Sequence, residues 1–245
     1  MTTQNSILMV GGYGVGGPPN PPRHVAVVGA AGGLGQALLS LCREAGIGFT
    51  AIVRSRPERI TEIPPGSRVA VVTSLADYPA LTAAFDGADV VLTALGVTST
   101  SRDPEALLSE NMATVEQAML AAGVQRIVLI NTLLSSAPGK PASLPMRLFA
   151  WLPGIIGQGA TEQQAVVNAL GRGAFASLQW TLVRAGLNAR GKDERPVASV
   201  TWADALNSWM PVSYRAMGRW MLEEAALGRF IQAAPFVSRR RPEFR

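Results

Sequence analysis

Gly29, Gly32 and Gly35 stand at a spacing that could hold a phosphate. They lie within Val25-Ala26-Val27-Val28-Gly29-Ala30-Ala31-Gly32-Gly33-Leu34-Gly35-Gln36-Ala37-Leu38-Leu39, an apolar run followed by a turn of small residues and a helical pattern. A chain that reverses in so few residues needs glycine, and a pyrophosphate reaches backbone N–H groups only where no side chain intervenes. The first turn of the following helix adds unpaired N–H donors and the positive end of its dipole. These residues therefore suit the binding of an anionic dinucleotide, with Gly29, Ala31, Gly32, Gly33, Leu34 and Gly35 as its cradle. A second glycine set, Gly12, Gly14 and Gly17 after Ile7-Leu8-Met9-Val10, also fits G-x-G-x-x-G. It runs into Pro18-Pro19-Asn20-Pro21-Pro22, which cannot open a helix, so residues 1–22 read as a flexible leader.

The second chemical signal is a pair of arginines. Phe49-Thr50-Ala51-Ile52-Val53 reads as a strand ending at Arg54-Ser55-Arg56. At this point of a nicotinamide-binding unit an acidic residue would grip a ribose 2′-hydroxyl, whereas arginine accommodates a 2′-phosphate. No Asp or Glu stands there, so the chain favours NADP over NAD, with Arg54 and Arg56 at the phosphate. A surface charge is the other reading of Arg54.

Stepping outward to the elements that must position these residues, Val69–Val72 reads as a third strand, and Asp77-Tyr78-Pro79 as a capped helix start. Asp89–Gly96 is a fourth strand whose small end, Ala94-Leu95-Gly96, would let a nicotinamide ribose pass close to the backbone. A long helix runs from Asp103-Pro104-Glu105 to Ala122-Gly123, and Arg126–Ile130 forms a fifth strand closing with Asn131-Thr132. Such alternation of near-continuous apolar strands with helices implies a doubly wound α/β fold with a parallel sheet covered on both faces. Ligands in such sheets sit beyond the carboxyl ends of the strands. Gly29–Gly35, Arg54, Ala94–Gly96 and Asn131-Thr132 thus converge on one edge.

Residues 133–158 break the rhythm with Ser135, Ser136, several Pro and Gly, and the patch Met146-Arg147-Leu148-Phe149-Ala150-Trp151-Leu152. A connection this long reads as a lid, implying an apolar or aromatic small-molecule substrate, or as a local extension of the core. Thr161–Leu170 reads as a helix and Trp180–Arg184 as a sixth strand. Ala198–Thr201, Pro211–Leu227 and Phe230–Gln232 suggest small strands around one helix, so that residues 186–235 close the substrate side. The expected organisation is one domain over 23–238 and a basic tail over 239–245.

Composition narrows the class. With 48% hydrophobic and 16% charged residues, the chain has material for a full core, and no apolar run reaches a membrane-spanning length. No secretory signal opens the sequence, so the cytoplasm is the expected location. A single cysteine, Cys42, and a single histidine, His24, leave no intrachain disulfide and no Cys/His metal site; Cys42 reads as core and His24 as a strand-entry residue. The net charge of +5 comes from scattered arginines plus Arg239-Arg240-Arg241 and Arg245. No nucleic-acid partner is expected; the tail reads as solvated, with contact to RNA, membrane or an acidic partner as the sharper alternative.

Val28–Gly35, Ile52-Val53-Arg54, Ala94-Leu95-Gly96, Ala121–Val128 and Trp180–Arg184 together resemble the atypical short-chain dehydrogenase/reductases, and most nearly the NmrA-like group that includes the biliverdin-IXβ and flavin reductases. Pro211-Val212-Ser213-Tyr214-Arg215-Ala216-Met217-Gly218 is similar to the late signature of that group. The resemblance implies a Rossmann-type sheet with a small C-terminal substrate-side extension and an NADPH-dependent reductase. It places Thr132 where the flavin reductases carry a serine beside the nicotinamide, with Asn111 and Ser135 as further catalytic candidates. A strand-end cap is the structural alternative for Thr132. It also places Ser74 at the group's acidic position after the third strand, among the cofactor contacts, with Asn131.

The larger superfamily pairs tyrosine with a lysine four residues later, so that the ammonium lowers the phenol pKa. Here Tyr13, Tyr78 and Tyr214 are followed at that spacing by Gly17, Thr82 and Gly218, and Lys140 and Lys192 do not replace the lysine. The expectation is a reductase of a planar, apolar substrate working without that pair. A non-catalytic NADP-binding sensor and a non-redox isomerase or cyclase are the alternatives.

Overall fold

A computed structural model describes residues 21–95, 107–187, 191–201 and 211–239. Strand β1 (His24–Val28) leads through the glycine turn into α1 (Gly33–Ala45). Then come β2 (Gly48–Val53), a short 3-10 turn (Pro57–Arg59), β3 (Arg68–Val71), α2 (Tyr78–Phe85), β4 (Val90–Thr93) and α3 (Leu108–Ala121). After β5 (Arg126–Thr132) follow α4 (Leu144–Ala150), α5 (Ile155–Gly171) and β6 (Gln179–Ala185). The chain ends with β7 (Val197–Ser199), α6 (Tyr214–Leu227) and β8 (Phe236–Ser238).

The eight strands form one sheet in the order β3-β2-β1-β4-β5-β6-β8-β7, parallel throughout except for β7 against β8. The chain leaves β1 toward β2 and β3, then returns to place β4 on the other side of β1, with Val27 opposite both Ala51 and Leu92. That reversal opens a crevice at the carboxyl ends of β1 and β4, where ligands of doubly wound sheets bind. The fold expected from the sequence, a Rossmann-type doubly wound sheet, is the fold observed.

Strand side chains alternate between faces, and the core divides accordingly. Val25, Val27, Phe49, Ala51 and Leu92 pack against Leu34 and Leu38 of α1 and Met217 and Trp220 of α6. Ala26, Val28, Ile52, Val91 and Ile127 pack against Phe85 of α2, Met112 and Met119 of α3 and Val167 of α5. Cys42 is fully buried in the first of these layers, and His24, the first residue of β1, hydrogen-bonds Thr50 through Nε2 at 2.9 Å.

Local signals mark the ends of the elements. Gly46 adopts the left-handed conformation at the end of α1, and its N–H bonds back to the last turn. The Asp77 carboxylate accepts the Ala80 N–H at the start of α2.

Two stretches differ from expectation, and a third holds the helix expected there. The helix expected from Thr161 already begins at Ile155, because small Gly157 allows the start of α5 to lie directly against the Leu152 carbonyl. Phe230–Gln232, expected as a strand, is a turn, with Gln232 at φ 53° and the strand formed later by Phe236–Ser238. Pro211–Leu227 holds a single helix, α6, whose Ser213 cap accepts the Ala216 N–H and whose apolar face covers α1. The expected start of α3 at Asp103 and the arginines from 240 onward lie outside the described residues, as do residues 1–20 with the second glycine set.

Candidate cofactor and substrate site

The glycine turn is built by backbone bonds alone. The Gly29 and Ala30 N–H groups both donate to the Ile52 carbonyl at 3.1 Å, tying the turn to β2, and Gly32 N–H donates to Gly29 O at 3.0 Å. Gly29 has φ 83°, and a Cβ there would press on the Ala94 backbone. At Gly35 a Cβ would stand 2.4 Å from Gly29 O, so α1 can start this close to the turn only as glycine. Gln36 N–H makes the first bond of the helix, to Gly32 O. The amides of Ala31, Gly33, Leu34 and Gly35 find no acceptor among the described residues. A cradle with open N–H donors at a helix start fits the pyrophosphate of a dinucleotide.

A pocket of about 640 Å³ opens beside this turn, bounded by Gly32, Gly33 and Leu34, by Ala94 and Leu95 after β4, and by Asn131 and Thr132 at the end of β5. Seven of the sequence-predicted residues therefore meet in one cavity. Its far wall is apolar, with Leu134, Met146 and Phe149 from the 133–158 segment and Leu187 beyond β6. Met146 and Phe149 sit on α4, whose Ser143 cap accepts the Met146 N–H. The 133–158 segment, read as a lid or as an extension of the core, thus contains a short helix whose inner side borders the pocket.

Thr132 is held by its backbone and leaves its hydroxyl available. Its N–H donates to Asn131 Oδ1 at 2.6 Å and to Gln163 Oε1 at 3.2 Å, and Asn131 Nδ2 donates to the Gln163 carbonyl. Thr132 Oγ1 accepts a long bond from Leu134 N–H, while its proton has no acceptor among the described residues. Such a hydroxyl can cap the strand end and still donate to a ligand.

Other predicted residues fall elsewhere. Ser135 is buried outside the pocket lining, its hydroxyl donating to Thr132 O at 2.8 Å and its carbonyl accepting from Arg184. Asn111 is buried in α3, where its amide donates to Leu107 O at 2.7 Å, and it does not line the pocket. Arg54 and Arg56 are exposed just past β2, with Arg56 at φ 60°, and Ser74 Oγ accepts the Ala76 N–H after β3. Gly96 lies outside the described residues.

Sequence reasoning missed Gln163 and the place of Tyr214 in the site. Gln163 lies within the helix expected from Thr161, and the earlier start of α5 adds Gly159 and Ala160 beside it in the pocket lining. Tyr214, at the start of α6, lays its ring over the glycine turn, since a Cβ on Gly33 would stand 2.5 Å from Tyr214 Cε2. Among the described lining residues it is the one with an ionisable side chain. Gly218, where a Tyr/Lys pair would need its lysine, is packed on α1, with Leu41 Cδ1 3.0 Å from an added Cβ. A lysine there would be driven into the α1–α6 contact. Lys140 is exposed and stands outside the pocket lining.

Fold and glycine cradle define a nicotinamide-dinucleotide-binding protein of the doubly wound class. Residues 29–223 match the NAD(P)H-binding family, and the chain belongs to it, in keeping with the resemblance to the atypical short-chain dehydrogenase/reductases. No curated protein matches the sequence. Among solved structures it is similar to a short-chain dehydrogenase/reductase of Veillonella parvula in complex with NADP, at 22% identity over 91% of this chain and 96% of that one, TM-score 0.63. It is likewise similar to a candidate NADH-flavin reductase of Streptococcus pneumoniae, at 19% identity over 89% and 100% of the two chains, TM-score 0.65. A candidate epimerase of Bacteroides thetaiotaomicron shares 18% identity over 91% and 100%, TM-score 0.66. At these identities the likeness is one of fold.

Proposed function

We propose that this protein is an NADPH-dependent oxidoreductase that reduces a planar, apolar small molecule such as a flavin, quinone, or conjugated imine or carbonyl. The observation that carries this reading is the pocket itself, which joins the glycine cradle to an apolar chamber walled by Leu134, Met146, Phe149 and Leu187. Bound NADPH supplies the hydride. The open amides of the 29–35 turn hold the pyrophosphate, and Arg54 and Arg56 take the 2′-phosphate as paired guanidinium donors. Small Ala94 lets the ribose approach the backbone, with Leu95 beside it in the lining. Thr132, fixed by Asn131 and Gln163, donates its free hydroxyl proton as a hydrogen bond to the substrate and orients it. The apolar wall packs against the planar ring, while water entering by the pocket mouth supplies the proton, so a Tyr/Lys pair is dispensable for substrates of this kind.

The test is oxidation of NADPH in the presence of flavin, quinone and imine panels. Turnover on at least one class, lowered in Thr132→Val, is the expected result. Tight NADPH binding with no turnover on any of them overturns the reading in favour of a sensor, and conversion without net oxidation in favour of an isomerase. Unchanged turnover in Thr132→Val removes that hydroxyl from the mechanism.

A further inference from the structure

Helix α4 has an outer side that the pocket does not use. Its inner residue Met146 is 1% exposed, whereas Leu144, Leu148 and Trp151 are 67%, 63% and 92% exposed. These three stand at i, i+4 and i+7, so they form one stripe along the helix and its C-cap, with Arg147 beside it. Phe149 and Leu152 extend the patch at 40% and 43% exposure. An almost fully exposed tryptophan in a continuous apolar stripe loses solvation free energy in water, and such a patch marks a docking surface.

Charge selects the partner. From Gln117 to Thr161 the chain carries no Asp or Glu, and exposed Lys140 and Arg147 are the cations of the patch region. Neither cation has a carboxylate partner among the described residues. Glu110 and Glu162 border a groove with Ala150 and Leu152, where Glu162 accepts from the Ser109 N–H, while Arg147 beside the stripe makes no ion pair among the described residues. A second copy docked on the stripe by a two-fold axis would set Arg147 near its own like charge. Anionic headgroups complement Lys140 and Arg147, and tryptophan, leucine and arginine on one helical face are the composition that settles at a bilayer interface. No helix among the described residues is long and apolar enough to cross a membrane, so the contact is with its surface.

We propose that the Leu144, Leu148 and Trp151 stripe of α4 docks on an anionic lipid bilayer, placing the mouth of the pocket at the membrane surface. Met146 and Phe149 on the same helix border the pocket, so a docked protein takes its apolar substrate from the lipid phase without releasing it into water. The docking stands on the stripe alone; the delivery of substrate rests on the proposed reductase activity.

The experiment is co-sedimentation of the full chain with vesicles of phosphatidylcholine alone or mixed with phosphatidylglycerol. Binding to the mixed vesicles, with a blue shift of tryptophan emission, is expected. Trp151→Glu and Leu148→Glu should each weaken it at least about tenfold. Arg147→Gln should weaken it about fivefold, less at high salt. All three positions are exposed, so thermal melting and NADPH titration in solution should stay as in wild type, which separates failure of docking from failure of the cofactor reading. Failure to sediment with anionic vesicles overturns the proposal, as does sedimentation that neither glutamate variant reduces. A solution dimer dispersed by Leu148→Glu assigns the stripe to a second copy and overturns it equally.

Discussion

Replacing Gly35 with alanine puts one methyl group where the glycine turn and α1 leave no space. Its Cβ would stand 2.4 Å from Gly29 O, 2.6 Å from Ala30 Cα and 2.7 Å from Ala30 O. All three are backbone atoms, so no side-chain rotation relieves the contact. Alanine gains up to about 1 kcal/mol over glycine in a helix, whereas overpacking costs about 1–3 kcal/mol. The clash wins, and α1 must slide away from β1. That movement misaligns the open amides of the cradle, and each lost hydrogen bond to a charged phosphate costs about 1.5–3 kcal/mol. NADPH affinity should therefore fall by about ten- to a hundredfold for one bond lost, with a smaller loss of folding stability. Gly46→Ala is the control: it meets nothing within 4 Å but stands at φ 66°, so it should cost about 1 kcal/mol of stability without touching affinity. Fluorescence titration with NADPH and urea denaturation measure the two effects. A Gly35→Ala protein that binds NADPH as tightly as wild type would falsify the placement of the cofactor on this turn.

Arg54→Ala should weaken NADPH by about ten- to a hundredfold and NADH little, the loss expected for a charge-assisted bond to a phosphate; equal weakening of both cofactors removes Arg54 from the 2′-phosphate. Glu224 is wholly buried with Arg126 at 3.1 Å, so Glu224→Ala strands a buried guanidinium and should cost about 3–5 kcal/mol in urea denaturation. Because Arg126 begins β5 and Thr132 ends it, about 20 Å away along the strand, the KM for NADPH should not change, and a change in KM without a loss of stability would contradict this assignment. Burial pushes the Cys42 thiol up to about 12, so the folded chain holds this proton more tightly than the unfolded one. The sign is then fixed: the stabilisation is complete below the ordinary thiol value of 9.0 and is lost as pH rises toward about 12. A thiol reagent should stay inert toward the native protein and react after unfolding, and fast native labelling would contradict the packing.

Sequence alone determined the features set by neighbouring residues. The apolar run, the glycine turn and α1 follow from steric and hydrogen-bonding rules that act within a few positions. The Asp77 cap and the left-handed Gly46 are legible for the same reason. Alternation of apolar strands with helices fixed the doubly wound class, because a strand apolar on both faces can be satisfied only between two helical layers.

Tertiary structure decided what distant segments do to one another. Gly154, Gly157 and Gly159 weaken the helix signal before Thr161, yet α5 starts at Ile155 because the small residue at Gly157 lets the chain close on the Leu152 carbonyl. Phe230–Gln232 is apolar enough for a strand, but the left-handed Gln232 turns it, and β8 forms where Phe236 and Val237 pair with Arg184 and Ala185. Tyr214 carried no local sign of its place over Gly33, which arises only once α6 packs on α1. Spacing along the chain shows what each segment can form; which side chains share a pocket depends on packing between segments far apart in sequence.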